Sequence, residues 1–147
     1  MALSKLDSLY MAVVTEHSKS PRHKGKLDGV EALQLHNPTC GDVIELSLKL
    51  EKGIITDIAF DGIGCTISTA SASMMTEAVL GKSIHQAREL ADTFSSLVQG
   101  QEVNEQEQLG DAFLLAGVAK FPQRIKCATL SWNALKKALD RQAEQGE

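Results

Sequence analysis

Three cysteines and one aspartate are the residues of this chain best suited to a single piece of chemistry. His36-Asn37-Pro38-Thr39-Cys40-Gly41-Asp42 sets a thiol and a carboxylate two residues apart in a turn. Pro38 fixes its own φ and biases Asn37 toward extended backbone, and Gly41 lets the chain bend between Cys40 and Asp42. Both side chains can then face one point, as half of a tetrahedral shell of sulfur and oxygen donors. Cys65 and Cys127, the remaining cysteines, would complete it. A second reading stands beside this one. The intervals are long, there is no C-x-x-C pair, a solitary cysteine commonly serves as a small buried hydrophobe, and an aspartate in a turn commonly accepts from backbone N–H groups. Spacing alone leaves both open. In favour of the metal site, each cysteine falls at an element junction or in the first turns of a helix.

The elements that must position these residues follow from periodicity. Leu6, Leu9, Tyr10, Val13 and Val14 recur at helical spacing and predict a helix from Ser4 to about His17. His17 to Lys26, polar and basic with Pro21 and Gly25, reads as an exposed connection. Period-two alternation then predicts strands at Ala32 to His36, Asp42 to Glu51 and Ile54 to Asp61, with Ile44, Leu46, Leu48 and Leu50 on a buried face. The Glu51-Lys52-Gly53 turn makes the last two a hairpin, with the opposite sheet face wet. Gly62-Ile63-Gly64-Cys65 leads into a helix with Ile67, Ala70, Met74, Met75 and Ala78 on one stripe and Gly81 at its end. Cys65 therefore sits at or next to a helix N-terminus, where free N–H groups favour a thiolate. Ser68, Ser71 and Ser73 keep that helix narrow; no paired base marks any of them as a nucleophile.

Ser83-Ile84-His85-Gln86 has the form of a capping box, with His85 exposed in the first turn of the helix that follows. Gln99 to Gln108 reads as a solvated loop and Leu109 to Ala119 as a short helix stopped at Phe121-Pro122. The last helix should start near Gln123 or Arg124 and bury Ala128, Trp132, Leu135 and Leu139, with Cys127 one turn inside and Arg124 on a neighbouring part of the same face. The residues from Arg141 onward form a polar tail expected to fray. The predicted fold class is α+β, a small, mostly antiparallel three-stranded sheet packed by several helices.

Composition bounds the function. At 147 residues and 43% hydrophobic, the chain suits one domain, and a net charge of −4 offers no global positive field for nucleic acid. No secretory leader and no run long enough to span a bilayer is visible, so a soluble cytoplasmic protein is expected. Three cysteines are too few for a disulfide scaffold and point to thiols or ligands.

Pro38-Thr39-Cys40-Gly41-Asp42, Gly62-Ile63-Gly64-Cys65-Thr66-Ile67-Ser68-Thr69-Ala70-Ser71 and Lys126-Cys127-Ala128 together resemble the U-type iron–sulfur assembly proteins, the family of NifU N-terminal domains, IscU and SufU. The resemblance covers nearly the whole chain. It lies nearer the SufU branch on two departures from IscU. An extra segment runs roughly from Thr93 to Ala116, and Phe121-Pro122-Gln123-Arg124-Ile125-Lys126 stands where IscU has a Leu-Pro-Pro-Val-Lys chaperone motif and a histidine. The resemblance implies a single domain over residues 1–147 with a SufE/NifU-like fold. It also implies Cys40, Asp42, Cys65 and Cys127 as ligands of Zn²⁺, Cys40 as sulfur acceptor, and Arg124 as a participant in the exchange chemistry. The implied partners are a SufS-like cysteine desulfurase, which owns the pyridoxal phosphate, and a downstream SufBCD-like scaffold complex. Two other roles fit the same residues. One is a scaffold holding a transient [2Fe-2S] cluster on Cys40, Cys65 and Cys127; the other is an adaptor whose zinc only stabilises the fold.

Overall fold

Alternating hydrophobicity sets the centre of the fold. In the computed structural model, which describes residues 5–37, 41–103 and 106–144, β1 (Leu33–Asn37), β2 (Asp42–Glu51) and β3 (Ile54–Ile63) form an antiparallel sheet in the order β1-β2-β3. Ile44, Leu46, Leu48 and Leu50 are all buried, as their period requires, and face the core with Ile58 and Phe60 of β3. The other face is not uniformly wet. Ser47 and its register partner Ala59 are buried there, two small side chains lying low between the longer Glu45, Lys49, Asp57 and Asp61.

Among the described residues five α-helices accompany the sheet: α1 (Lys5–Lys19), α2 (Thr66–Val79), α3 (Ile84–Val98), α4 (Gln106–Leu109) and α5 (Ile125–Glu144). The helix α2 is buried well beyond its predicted stripe, because Ser68, Ser71, Ser73 and Thr76 are enclosed with the apolar residues. Narrow side chains let α1 and α5 approach it, and the hydroxyls are paired across helices. Ser71 Oγ donates to the Ala128 carbonyl at 2.5 Å and accepts from Trp132 Nε1 at 3.2 Å. Replacing Ser71 with alanine should leave the buried Trp132 indole N–H without its acceptor and remove a second bond to the Ala128 carbonyl, costing about 1–3 kcal/mol. Urea unfolding with an unchanged slope would measure it.

The capping box at Ser83 and Gln86 forms as predicted, and His85 is exposed and paired with Glu89 at 3.0 Å. Two segments depart from their sequence reading. The stretch predicted as a loop to Gln108 turns helical at Gln106, and Gly110–Lys120 is a 3₁₀ helix. Leu109, Ala112, Leu115 and Val118 are all buried. Their spacing of three matches a helix with three residues per turn, a period that a search for 3.6 passes over.

The His17 to Lys26 connection is pinned down where an exposed linker was expected. His17 is fully buried, with Nδ1 2.7 Å from Ser73 Oγ and Nε2 2.9 Å from Asp111 Oδ2. Both ring nitrogens have partners, so burial costs little; those partners lie 56 and 94 positions away, out of reach of local pattern reading. Further on, Phe60 N–H donates to the His23 carbonyl and Gly25 N–H to the Phe60 carbonyl, which covers the outer edge of β3. No helix among the described residues is long and apolar enough to cross a membrane.

Candidate metal centre

The register of the sheet brings the first two donors together. Asn37 pairs with Asp42 on the rung where β1 ends and β2 begins, and Val43 pairs with Ile63, so the start of β2 lies beside the end of β3. Gly41 takes φ +74°, the left-handed conformation for which glycine is suited, and its N–H closes onto the Asn37 carbonyl at 2.8 Å. One residue beyond Gly64, Cys65 is the N-cap of α2, with its Sγ accepting from Ser68 N–H at 3.4 Å. The expected place of Cys65 at a helix N-terminus is thus met.

The third donor comes from α5. Tied to α2 through Ser71, this helix starts at Ile125 and buries Cys127 in its first turn. One ligand atom each from Asp42, Cys65 and Cys127 lies within 4.8 Å of the others. A tetrahedral zinc shell, with metal–ligand bonds of roughly 2.0–2.3 Å, would space its donors roughly 3.3–3.8 Å apart. Small side-chain adjustments cover the difference. Cys40, with Pro38 and Thr39, lies outside the described residues.

Both readings of Asp42 are partly realised. Its Oδ1 accepts the Cys65 N–H at 3.1 Å, as a turn carboxylate would. Its Oδ2 is buried with no hydrogen-bond partner among the described residues. A carboxylate oxygen left unpaired inside a protein is costly unless a cation meets it. This orphaned oxygen beside two thiols fits a thiophilic divalent ion, and Cys65 is only half-buried, so the cluster is reachable from solvent. Gly64 completes the cradle: a Cβ there would lie 2.1 Å from Ser68 Oγ and 3.4 Å from Asp42 Oδ1.

Asn37 was missed as a site residue. Its side chain is buried, and Nδ2 lies 4.0 Å from Cys127 Sγ. The sequence placed it before Pro38 without a role, and only the contact across 90 positions gives it one. Arg124 is not in the last helix, as its spacing had suggested, but ends a separate 3₁₀ turn, Pro122–Arg124. Phe121 lies before that turn, and Ile125 continues from it with helical φ −59° and ψ −40°, so Arg124 leads directly into α5, three residues ahead of Cys127. Burial pushes the Tyr10 phenol of α1 up, and the nearby Arg124 guanidinium pulls it back down.

The comparisons with known proteins follow the same lines. The family model described as the NifU-like N terminal domain matches residues 9–141. The iron-sulfur cluster assembly scaffold protein IscU of Streptococcus pyogenes serotype M1 is 68% identical over 97% of this chain and 90% of its own length. The zinc-dependent sulfurtransferase SufU of Bacillus subtilis strain 168 is 49% identical over 95% of each chain. A crystal structure from Fervidobacterium islandicum AW-1, of a protein proposed as an iron–sulfur cluster assembly scaffold for the SUF system, superposes with a TM-score of 0.83 at 31% identity, covering 90% of this chain and 97% of the other. A family match over nearly the whole length and these relatives lead to one conclusion: the chain belongs to the NifU-like N-terminal domain family, the U-type iron–sulfur cluster assembly proteins.

Proposed function

We propose that this protein accepts sulfur from a cysteine desulfurase and passes it on during iron–sulfur cluster assembly, with Cys40 as acceptor and Cys40, Asp42, Cys65 and Cys127 as zinc ligands. The observation that carries this reading is the unpaired, buried Asp42 Oδ2 converging with the thiols of Cys65 and Cys127. Cys40 is covalently two residues from Asp42, so the fourth donor belongs to the same turn. When bound, zinc keeps coordinating thiols deprotonated and masks the acceptor until a partner arrives. The rest is the chain's own work. The Asp42 carboxylate accepts the Cys65 backbone N–H, and the Cys65 sulfur accepts the Ser68 N–H at the start of α2, which together hold that thiol in place. Released Cys40 thiolate attacks the outer sulfur of a persulfide on the desulfurase. A new sulfur–sulfur bond forms on Cys40, the donor's own bond breaks, and the desulfurase thiolate leaves with the electron pair. Arg124, three residues before Cys127, offsets the negative charge of three thiolates and a carboxylate. A SufBCD-like complex in the cytoplasm would take the sulfur next, and the chain would act as a single domain.

A second reading has support in the scaffold description of the 68% identical streptococcal relative. There the same three cysteines hold a transient [2Fe-2S] cluster as cargo. Metal analysis and absorption of anaerobically purified protein separate the two. One tightly held, colourless zinc per chain is expected; a coloured iron and sulfide centre would favour the scaffold. After incubation with desulfurase and cysteine, mass spectrometry should find extra sulfur on Cys40, and its absence there would remove the transfer reading.

A further inference from the structure

The two edges of the sheet are treated differently. Along β3, backbone pairing with His23 and Gly25 at one end, and with Gly81 and Lys82 at the other, closes the edge. On β1, by contrast, Leu33 to His36 have no backbone partner beyond β2 among the described residues. An open strand edge is a template for another strand.

A cleft of about 520 Å³ borders this open edge, between β1 and the outer face of α5. Its α5 side includes Lys126 and Lys137. Eleven residues apart on a helix, they come back to nearly the same face roughly 16 Å along its axis. Neither makes an ion pair with a described residue, whereas their neighbours Lys136 and Asp140 are neutralised by Asp92 and Arg88. A pair of uncompensated cations in one groove is a local exception in a chain of net charge −4. Five strand residues span roughly 17 Å, the same length as the lysine pair. At its end the cleft is walled by Asn37, the residue whose amide reaches Cys127.

We infer that β1 and the lysine-bearing face of α5 form a docking groove for an extended acidic segment of the sulfur-donating partner, which adds to β1 as a fourth strand and places its carboxylates against Lys126 and Lys137. Backbone bonds to the edge supply affinity, and the two lysines select acidic side chains on the α5 side. The direction of the groove leads the docked segment toward the Asp42, Cys65 and Cys127 cluster. This inference rests on the sulfur-acceptor reading, since it takes the partner to be the cysteine desulfurase.

The test uses zinc-loaded full-length protein and the cysteine desulfurase of the same organism. On complex formation, amide hydrogen exchange at Leu33 to His36 should slow, and K137E and K126E/K137E should weaken association by about tenfold or more at low salt, less at high salt. Zinc content is measured alongside; should the double variant lose metal because Lys126 adjoins Cys127, K137E alone decides. A complex that forms with β1 still exchanging freely, or with K137E binding like the parent, overturns the groove and leaves the sulfur-acceptor reading standing. Protection of β1 that appears without desulfurase and grows with protein concentration assigns the edge to a second copy and also overturns it. If the parent protein does not associate with the desulfurase at all, the sulfur-acceptor reading itself fails.

Discussion

Cys127→Ala should lower zinc affinity by roughly 10²–10³-fold. Four-ligand structural zinc sites are worth about 10–16 kcal/mol, so one ligand accounts for about 3–4 kcal/mol, and each 1.4 kcal/mol is about a factor of ten. Cys127 is fully buried at the start of α5, and alanine fits there with a small cavity worth about 1 kcal/mol. The metal-free variant should therefore unfold close to the metal-free parent, while the stabilisation that zinc gives the parent largely disappears. Competition with a chromogenic chelator reads the affinity, and thermal unfolding with and without metal reads the linkage. An unchanged affinity would remove Cys127 from the donor set and leave it as a core thiol. Asn37 would then lose its significance too, since its amide faces that sulfur.

The second large effect lies in the packing that holds the donors in place. Trp132→Ala should destabilise the protein by about 3–5 kcal/mol, the usual cost of emptying a buried aromatic site. The indole stacks on Phe94 of α3 with ring centroids 4.5 Å apart and planes 13° from parallel, and its N–H is held by Ser71 of α2. One side chain thus joins three helices, two of which carry Cys65 and Cys127 at their starts. For a domain of this size each kcal/mol is about 2–4 °C, so the midpoint should fall by roughly 6–20 °C. Because whole-domain stability is typically about 5–15 kcal/mol, the variant would stand near the threshold of folding. Calorimetry of the metal-free protein checks it. A drop under 1 kcal/mol would mean that Phe94 and its neighbours close over the gap.

Chemistry at the candidate metal centre would depend on groups of three kinds. Asp42, Cys65 and Cys127 offer donor atoms; Gly64 and Ser68 shape the cradle; Asn37 faces the Cys127 sulfur from β1. Only the first kind was legible as chemistry. Thiols and carboxylates announce themselves by type, whereas an asparagine or a glycine acquires a role from what lies next to it.

Local physics fixed much of this protein before any folding. Alternation along Asp42 to Glu51 demanded a half-buried strand, Ser83 and Gln86 demanded a helix start, and Gly64-Cys65 ahead of a small-residue helix put a thiol at an N-cap. Each of these depends on residues a few positions apart, whose interactions survive in any context. Convergence was not of that kind. Asp42, Cys65 and Cys127 meet because strand register aligns the ends of β2 and β3 and because Ser71 and Trp132 seat α5 on α2, contacts made across tens of residues. The same holds for the burial of His17, the unpaired oxygen of Asp42 and the open edge of β1, since a single sequence carries no record of which distant group will exclude water from which side chain.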